Sequence, residues 1–113
     1  MNKFGAIKCE YQGKIFDSKK ERDRYIYLQA LQKKGRISGL EWQKKFQLIP
    51  LQRENGVVVE RPATYIADFV YYDSNGKMVV EDVKGCKSGA AYREFVLKRK
   101  MMLWINHIRV REV

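Results

Sequence analysis

The feature of this sequence that most constrains its fold is a pair of apolar segments separated by only three residues. Residues 64–73 (TYIADFVYYD) and 77–84 (KMVVEDVK) are rich in β-branched and aromatic side chains, which favour strands. The residues between them are Ser74-Asn75-Gly76. A loop of this length is commonly a type I turn followed by a glycine in the left-handed conformation. The sequence therefore predicts an antiparallel hairpin built from two core strands.

Each strand of this hairpin carries an aspartate among apolar residues, where an unpaired charge is costly. The three-residue loop pairs Asp73 with Lys77, and this register places Asp68 directly opposite Asp82. Lys84 follows two residues later and therefore lies on the same face as Asp82. The register thus predicts two carboxylates and one lysine side by side on one face of the sheet.

Two carboxylates directly opposite each other destabilise a sheet unless something neutralises them. A divalent cation such as Mg²⁺, which prefers oxygen ligands and keeps several waters, would fill the gap. Lys84 would then polarise or deprotonate an attacking water, or neutralise charge that develops on a phosphate.

Two alternatives to this arrangement stay open. A two-residue Asn75-Gly76 turn would place Glu81, not Asp82, on the face of Asp68. Both aspartates would face water if their strands lay at the edge of the sheet. Under the three-residue loop, Glu81 points away from Asp82, and we expect it to have a structural or supporting role.

The rest of the chain predicts helices and strands on both sides of the hairpin. In chain order they are an N-terminal extended segment (1–16), a helix (18–34), a strand (40–51), a loop or hairpin insertion (52–63), the strand pair, a second helix (88–105) and a last strand (108–113). This α-β-β-β-α-β order predicts an α/β fold with a central mixed sheet flanked by helices.

Local signals support several of these elements. Ser18 and Glu21 form a capping-box signature at the start of the first helix, and Gly35 is expected to end it. The first strand alternates, which predicts that Leu40, Trp42, Phe46 and Leu48 face the core. Apolar residues run almost all the way round the second helix, so we expect it to be largely buried.

Composition limits the partners and the chemistry. The 113 residues favour a single domain, and 23 basic against 13 acidic residues give a net charge of +10. This excess indicates a polyanionic partner, nucleic acid first and an anionic membrane second. The longest apolar run, residues 101–105, is far shorter than the ~20 residues of a membrane span, and no apolar secretory signal opens the chain. We therefore expect no membrane partner and a cytoplasmic location. The single histidine excludes HEXXH and HNH sites.

Five motifs, taken in order, resemble those of one protein family. They are GKIFDSKKE, LEWQKKFQL, YIADFVYYD, VVEDVKG and YREFVLKRKMM, between about residues 13 and 113. Asp68 followed by Asp82-Val83-Lys84 looks like the PD-(D/E)XK nuclease signature, with Ala67 in the place of the proline. The combination resembles a family of small phage and prophage proteins that is catalogued as a domain of unknown function and placed in the PD-(D/E)XK superfamily.

This resemblance implies a restriction-endonuclease-like fold with a metal-dependent nuclease site. Asp68 and Asp82 would ligate Mg²⁺, for which Mn²⁺ would substitute, and the backbone carbonyl of Val83 would add a ligand. Lys84 would be the catalytic lysine. Glu21 would lie beside the metal, although capping the helix is a sufficient reason for a glutamate there.

Six further residues are candidates for auxiliary or DNA-binding roles. They are Gln43, Lys98, Lys100, Arg93, Lys19 and Lys44. By resemblance, Gln43 would orient a metal-bound water and Lys98 would reach a phosphate. The simpler alternatives are an exposed strand position for Gln43 and a lysine extended along an apolar helix face for Lys98. The other four would bind the DNA backbone or be solvated.

The resemblance implies an endodeoxyribonuclease that hydrolyses phosphodiester bonds of branched or junction DNA, in the manner of a Holliday junction resolvase. Its place would be phage recombination, repair or DNA processing inside a bacterial host. We expect a homodimer where both strands are cut. Two alternatives are a non-catalytic DNA-binding module of the same fold and a nuclease that acts on RNA.

Overall fold

The computed structural model describes residues 7–113, which form two helices and eight strands. The elements in chain order are β1 (Cys9–Tyr11), β2 (Lys14–Phe16), α1 (Lys19–Lys33), β3 (Ser38–Ile49), β4 (Gln52–Glu54), β5 (Val57–Glu60), β6 (Ala63–Tyr72), β7 (Met78–Asp82), α2 (Gly89–Asn106) and β8 (Val110–Glu112). Among these residues no helix is both long and apolar enough to cross a membrane.

Four of the strands form the central sheet, in the order β3-β6-β7-β8. The first three are antiparallel neighbours, and β8 pairs parallel to β7 after the crossover through α2. The predicted mixed α/β architecture with a central mixed sheet is confirmed. The remaining strands form two separate hairpins, β1-β2 and β4-β5. All residues from 51 to 62 are exposed, so the predicted insertion is a protruding hairpin.

The β6-β7 hairpin has the predicted register. Phe69 pairs with Glu81 and Tyr72 with Met78, and the Asp73 amide donates to the Lys77 carbonyl at 2.9 Å. Gly76 has φ +77°, the left-handed conformation that this loop requires. The three-residue loop is therefore confirmed, and the two-residue alternative is wrong. Since β6 and β7 are the two inner strands of the sheet, the edge-strand alternative is wrong as well.

The two helices cover opposite faces of the sheet, and each face has its own apolar cluster. The cluster under α1 is formed by buried residues that include Phe16, Tyr25, Leu28, Phe69, Tyr71, Val79 and Val83. The cluster under α2 includes Leu48, Tyr65, Ala67, Val70, Val80, Phe95 and Met102. The α1 cluster includes Val83, next to Asp82, and the α2 cluster includes Ala67, next to Asp68.

The strand β3 exchanges faces along its length. Trp42 packs against the α1 cluster, whereas Phe46 packs against the α2 cluster and Leu48 belongs to it. The three positions differ by even numbers, so simple alternation would place them on one face. Gln43, between them, has φ +56°, a conformation that is rare for a residue with a side chain. The prediction that these apolar residues face the core is confirmed, but they reach two different cores.

The neighbouring strand β6 makes the same exchange at Asp68. Tyr65 and Ala67 pack with the α2 cluster, and Phe69 packs with the α1 cluster, so the expected alternation breaks between Ala67 and Phe69. Lys44 pairs with Ala67 and Trp42 with Phe69, which sets Asp68 opposite Gln43. The site aspartate therefore lies at the point where the sheet changes faces.

The helix α2 is less buried than its sequence predicts. Only Phe95 and Met102 are buried, while Trp104 is 84% exposed and Leu97 is 58% exposed. The prediction of a largely buried helix is wrong, because among the described residues only the sheet covers this helix, and the sheet covers one side.

Candidate active site

An open cleft of about 830 Å³ lies beside the first turns of both helices and the end of β7. Asp68 reaches it from β6 and Asp82 from β7, while Glu21 comes from the first turn of α1. Lys84 lies two residues beyond Asp82, on the segment that leads to α2. The structure thus brings together all four residues that the sequence assigns to catalysis.

Asp82 is held on both of its oxygens. Its Oδ1 lies 2.7 Å from Lys84 Nζ, and its Oδ2 accepts a hydrogen bond of 2.6 Å from the Tyr65 hydroxyl. Lys84 Nζ also lies 4.1 Å from the centre of the Phe95 ring, within the range of a cation–π contact. Burial raises the pKa of Tyr65 above its ordinary value, and the Asp82 carboxylate reinforces the shift. The Tyr65 hydroxyl therefore stays protonated at neutral pH and donates to Asp82.

Asp68 and Glu21 form a pair of facing acids. Asp68 Oδ2 accepts from the Val83 amide at 2.7 Å, and the Glu21 carboxyl lies close enough to Asp68 for the two groups to shift each other's pKa. Burial, reinforced by the charges of Asp82 and Glu21, raises the pKa of Asp68 to about 9. Burial is also the main reason why the pKa of Glu21 is raised. Asp68 therefore keeps its proton at neutral pH, because two neighbouring buried like charges are unfavourable.

The donor set fits a hard cation, but the site is not preformed for one. Carboxylate oxygens are the ligands that Mg²⁺ prefers in proteins. Within residues 7–113, however, no three His, Cys, Asp or Glu side chains are gathered closely enough to hold a metal ion as they stand. Lys84 occupies one oxygen of Asp82, and Asp68 holds a proton at neutral pH. A cation would take the place of these positive charges.

Glu81, the neighbour of Asp82, lies on the opposite face, as the predicted register requires. It is fully buried and accepts hydrogen bonds of 2.9 and 2.7 Å from Arg24 and a third from the Tyr71 hydroxyl. Burial, with help from this hydrogen bond, raises the pKa of Tyr71 to about 12. Glu81 therefore ties α1 to the sheet and does not line the cleft.

The six auxiliary candidates lie outside the lining of the cleft, as far as the described part of the chain shows. Two are engaged in ion pairs along their own elements: Lys98 with Glu94 at 3.5 Å and Lys44 with Glu41 at 2.8 Å. Gln43, Arg93 and Lys19 are exposed, and Lys100 lines a second groove. Their assigned roles stay predictions.

Two residues at the cleft escape sequence reasoning. Tyr65 supports Asp82, but simple alternation along β6 does not place the two on one face. Lys20 donates from Nζ to the Lys84 carbonyl at 2.7 Å and lines the cleft, so it holds the segment that carries Lys84. Its position next to Glu21 at the start of α1 is the only sequence signal for it.

Comparison with known proteins identifies a family for the chain. A family model described as "Protein of unknown function (DUF1064)" matches residues 1–111. The chain belongs to this family. No curated protein and no solved structure matches the chain. The prediction that the chain belongs to a family of unknown function is thereby confirmed. Membership of DUF1064 assigns no reaction to the cleft.

Proposed function

We propose that this DUF1064 protein is a metal-dependent endodeoxyribonuclease of the PD-(D/E)XK superfamily that hydrolyses phosphodiester bonds in DNA. The observation that carries the proposal is the convergence of Asp68, Asp82, Glu21 and Lys84 in one cleft. The excess of basic residues, with a net charge of +10, fits a polyanionic substrate. Branched or junction DNA in phage recombination, repair or processing, cut by a homodimer, is the form of this proposal that the sequence motifs favour.

The residues that would hold Mg²⁺ or Mn²⁺ are Asp68, Asp82 and Glu21, with the Val83 carbonyl as the fourth candidate. The elevated pKa of Asp68 supports this assignment, since it marks an excess of buried negative charge that the surrounding residues leave uncompensated. When bound, Mg²⁺ would activate water and neutralise charge on the scissile phosphate.

Lys84 would act on the reacting atoms directly. Its side chain is 23% exposed, whereas the side chain of its partner Asp82 is almost completely buried. An ammonium held at this position would donate a hydrogen bond to the attacking water or to a phosphate oxygen, and would stabilise the negative charge of the transition state. Phe95 lies against Lys84 Nζ and therefore restricts the directions in which the Lys84 side chain can move away from Asp82.

Tyr65 would keep Asp82 oriented when Lys84 turns toward the substrate. Its hydroxyl is bonded to the oxygen of Asp82 that Lys84 does not contact. The carboxylate therefore retains one fixed oxygen while the other becomes available to a new partner. We assign Tyr65 as a positioning residue.

A non-catalytic DNA-binding module of the same fold is the second candidate. The observation in its favour is that, across residues 7–113, no three acidic, histidine or cysteine side chains are arranged to hold a metal ion as they stand. In that case Asp82 and Lys84 would remain an ion pair and the cleft would bind DNA without cutting it.

Cleavage assays separate these candidates. Labelled duplex, single-stranded, flapped and four-way-junction DNA, with an RNA strand in parallel, are incubated with Mg²⁺, Mn²⁺ or EDTA. We expect metal-dependent cleavage of DNA by the wild-type protein and none by Asp82→Asn. We also expect Asp82→Asn to bind DNA at least as well as wild type, because a repelling carboxylate is gone.

The matched control is Asp73→Asn, in the same hairpin. Asp73 accepts backbone hydrogen bonds from Asn75 and Lys77, which an asparagine oxygen also accepts, and it lies outside the lining of the cleft. Normal cleavage by Asp82→Asn would refute the site. Binding without cleavage by wild type, whichever metal is added, would favour the module.

A further inference from the structure

A second groove lies between α2 and the edge strand β8. It has a volume of about 750 Å³. Its lining residues are Arg99, Lys100, Leu103, Arg109, Val110, Arg111 and Glu112. Four of these side chains are cationic and one is acidic. We refer to it as the α2–β8 groove.

The one acid of the groove is already neutralised. Glu112 accepts a hydrogen bond of 2.7 Å from the Tyr92 hydroxyl, and its oxygens lie 3.2 Å from Arg99 and 3.3 Å from Lys87. The hydrogen bond from Tyr92 and the two cations lower the pKa of Glu112, so it stays ionised within this network. The remaining cationic side chains of the groove are therefore available to bind an external anion.

Lys100 and Arg109 supply most of that free charge. Both are exposed, and among the described residues no carboxylate lies within ion-pair distance of either, or of Arg111. Lys100 comes from α2, and Arg109 comes from the segment that leads directly into β8. An anion that enters the groove therefore meets cations on both walls.

The groove is next to the cleft. Tyr92 lines the cleft, and the Glu112 that it bonds lines the groove. Glu112 is also the parallel-strand partner of Asp82, so their backbones are about 4.8 Å apart. A nucleic-acid strand that passes the cleft aspartates would continue over the end of β8 into the α2–β8 groove.

From these contacts we infer that the α2–β8 groove binds the phosphodiester backbone of the nucleic acid that the cleft acts on, away from the scissile bond. The inference rests on the proposed function only for the identity of the polyanion. Guanidinium and ammonium groups bind phosphate without reading sequence. Pairing of another strand with β8 is disfavoured, because this edge is three residues long and carries the charged residues Arg111 and Glu112.

The test is the salt dependence of DNA binding in EDTA. The affinity of a labelled duplex is measured by fluorescence anisotropy between about 50 and 200 mM salt, for wild type and for Lys100→Gln/Arg109→Gln. Each lost phosphate contact lowers the slope of log affinity against log salt by about 0.9. We expect the slope to fall by about two and the low-salt affinity to fall by about tenfold or more.

The control pair is Lys33→Gln/Arg36→Gln, which lowers the net charge by the same amount. Both residues are exposed at the end of α1, on the other face of the sheet and about 20 Å along the helix from the cleft. We expect a much smaller change of slope for this pair. Equal changes in the two pairs would mean that only net charge matters and would overturn the inference.

A second arm distinguishes a nucleic-acid backbone from a small phosphorylated molecule. Inorganic pyrophosphate is titrated against wild type and the groove pair, with thermal stability as the readout. Stabilisation that needs Lys100 and Arg109, together with an unchanged DNA slope, would overturn the inference. Because the binding assay contains no metal, a reduced slope without any cleavage would refute the nuclease alone. An unchanged slope with normal cleavage would refute the groove alone.

Discussion

The substitution Asp68→Asn should stabilise the protein in the absence of metal. In the folded protein, burial and the neighbouring charges raise the pKa of Asp68 to about 9. At pH 7 the fold must therefore hold a proton that an unfolded aspartate, with its pKa of 3.8, releases. At about 1.4 kcal/mol for each pH unit, holding that proton costs about 4 kcal/mol. Asparagine is neutral, keeps an oxygen for the Val83 amide and removes this cost.

The effect should depend on pH in a defined direction. Between about pH 4 and pH 9 the folded state binds the Asp68 proton and the unfolded state does not, so the unfavourable contribution of Asp68 grows as the pH rises. The gain from Asp68→Asn should thus approach about 4 kcal/mol at pH 7 and fall to about 1 kcal/mol at pH 4.5. Urea unfolding in EDTA at the two pH values measures the difference.

The control for this measurement is Asp23→Asn. Asp23 is exposed on α1 and, among the described residues, its side chain forms an ion pair with the adjacent Arg22 at the surface, so its replacement makes the same chemical substitution without relieving burial. We expect Asp23→Asn to change the free energy of unfolding by less than about 0.5 kcal/mol at either pH. Two results would contradict this prediction. In one, Asp68→Asn is no more stable than wild type at pH 7; in the other, its gain in the free energy of unfolding is the same at both pH values.

Three further predictions follow from the contacts of the buried acids. Arg24→Met leaves the Glu81 carboxylate buried without its cation and should destabilise the fold by about 3–5 kcal/mol in urea unfolding, whereas Arg22→Met at the surface should change it by less than about 0.5 kcal/mol. Tyr65→Phe removes one hydrogen bond to Asp82 and should cost about 1 kcal/mol of stability; it should reduce metal-dependent cleavage by about tenfold or more while DNA affinity is unchanged. Mg²⁺ or Mn²⁺ should raise the melting temperature of wild type by a few degrees, reversibly with EDTA, because ligands stabilise the state that binds them; a similar rise in Asp82→Asn would count against the site.

The parts of the site that the sequence predicts correctly depend on local rules. The length of the loop and the glycine at its end determine the register of β6 with β7, and this register decides which residue shares a face with Asp68 and which one points away. Ser18 Oγ accepts a hydrogen bond of 3.1 Å from the Glu21 amide, so Ser18 caps α1 as the capping signature predicts. Such features need only a few neighbouring residues, so they can be read without knowledge of the tertiary structure.

The parts that escape prediction depend on tertiary contacts. Tyr65 reaches Asp82 because β6 exchanges faces at Asp68, and no strand-alternation pattern contains that exchange. The positive φ of Gln43 in the adjacent strand has no sequence signature either, since glutamine is not a residue that favours it. The exposure of Trp104 likewise depends on what the rest of the fold places beside α2.

The contrast between Glu81 and Asp68 is the strongest physical argument that the cleft exists for a ligand. Both are carboxylates in the inner strands of one sheet. Glu81 receives a guanidinium fork and a phenol, so this fold is able to neutralise a buried acid completely. At the cleft, the described residues offer no lysine or arginine within ion-pair distance of Asp68 or Glu21. A fold shaped for stability alone would place an apolar or amide side chain at Asp68 and gain several kcal/mol. The presence of Asp68 and Glu21 without a neighbouring lysine or arginine is therefore explained if they bind a cation that is not part of the chain.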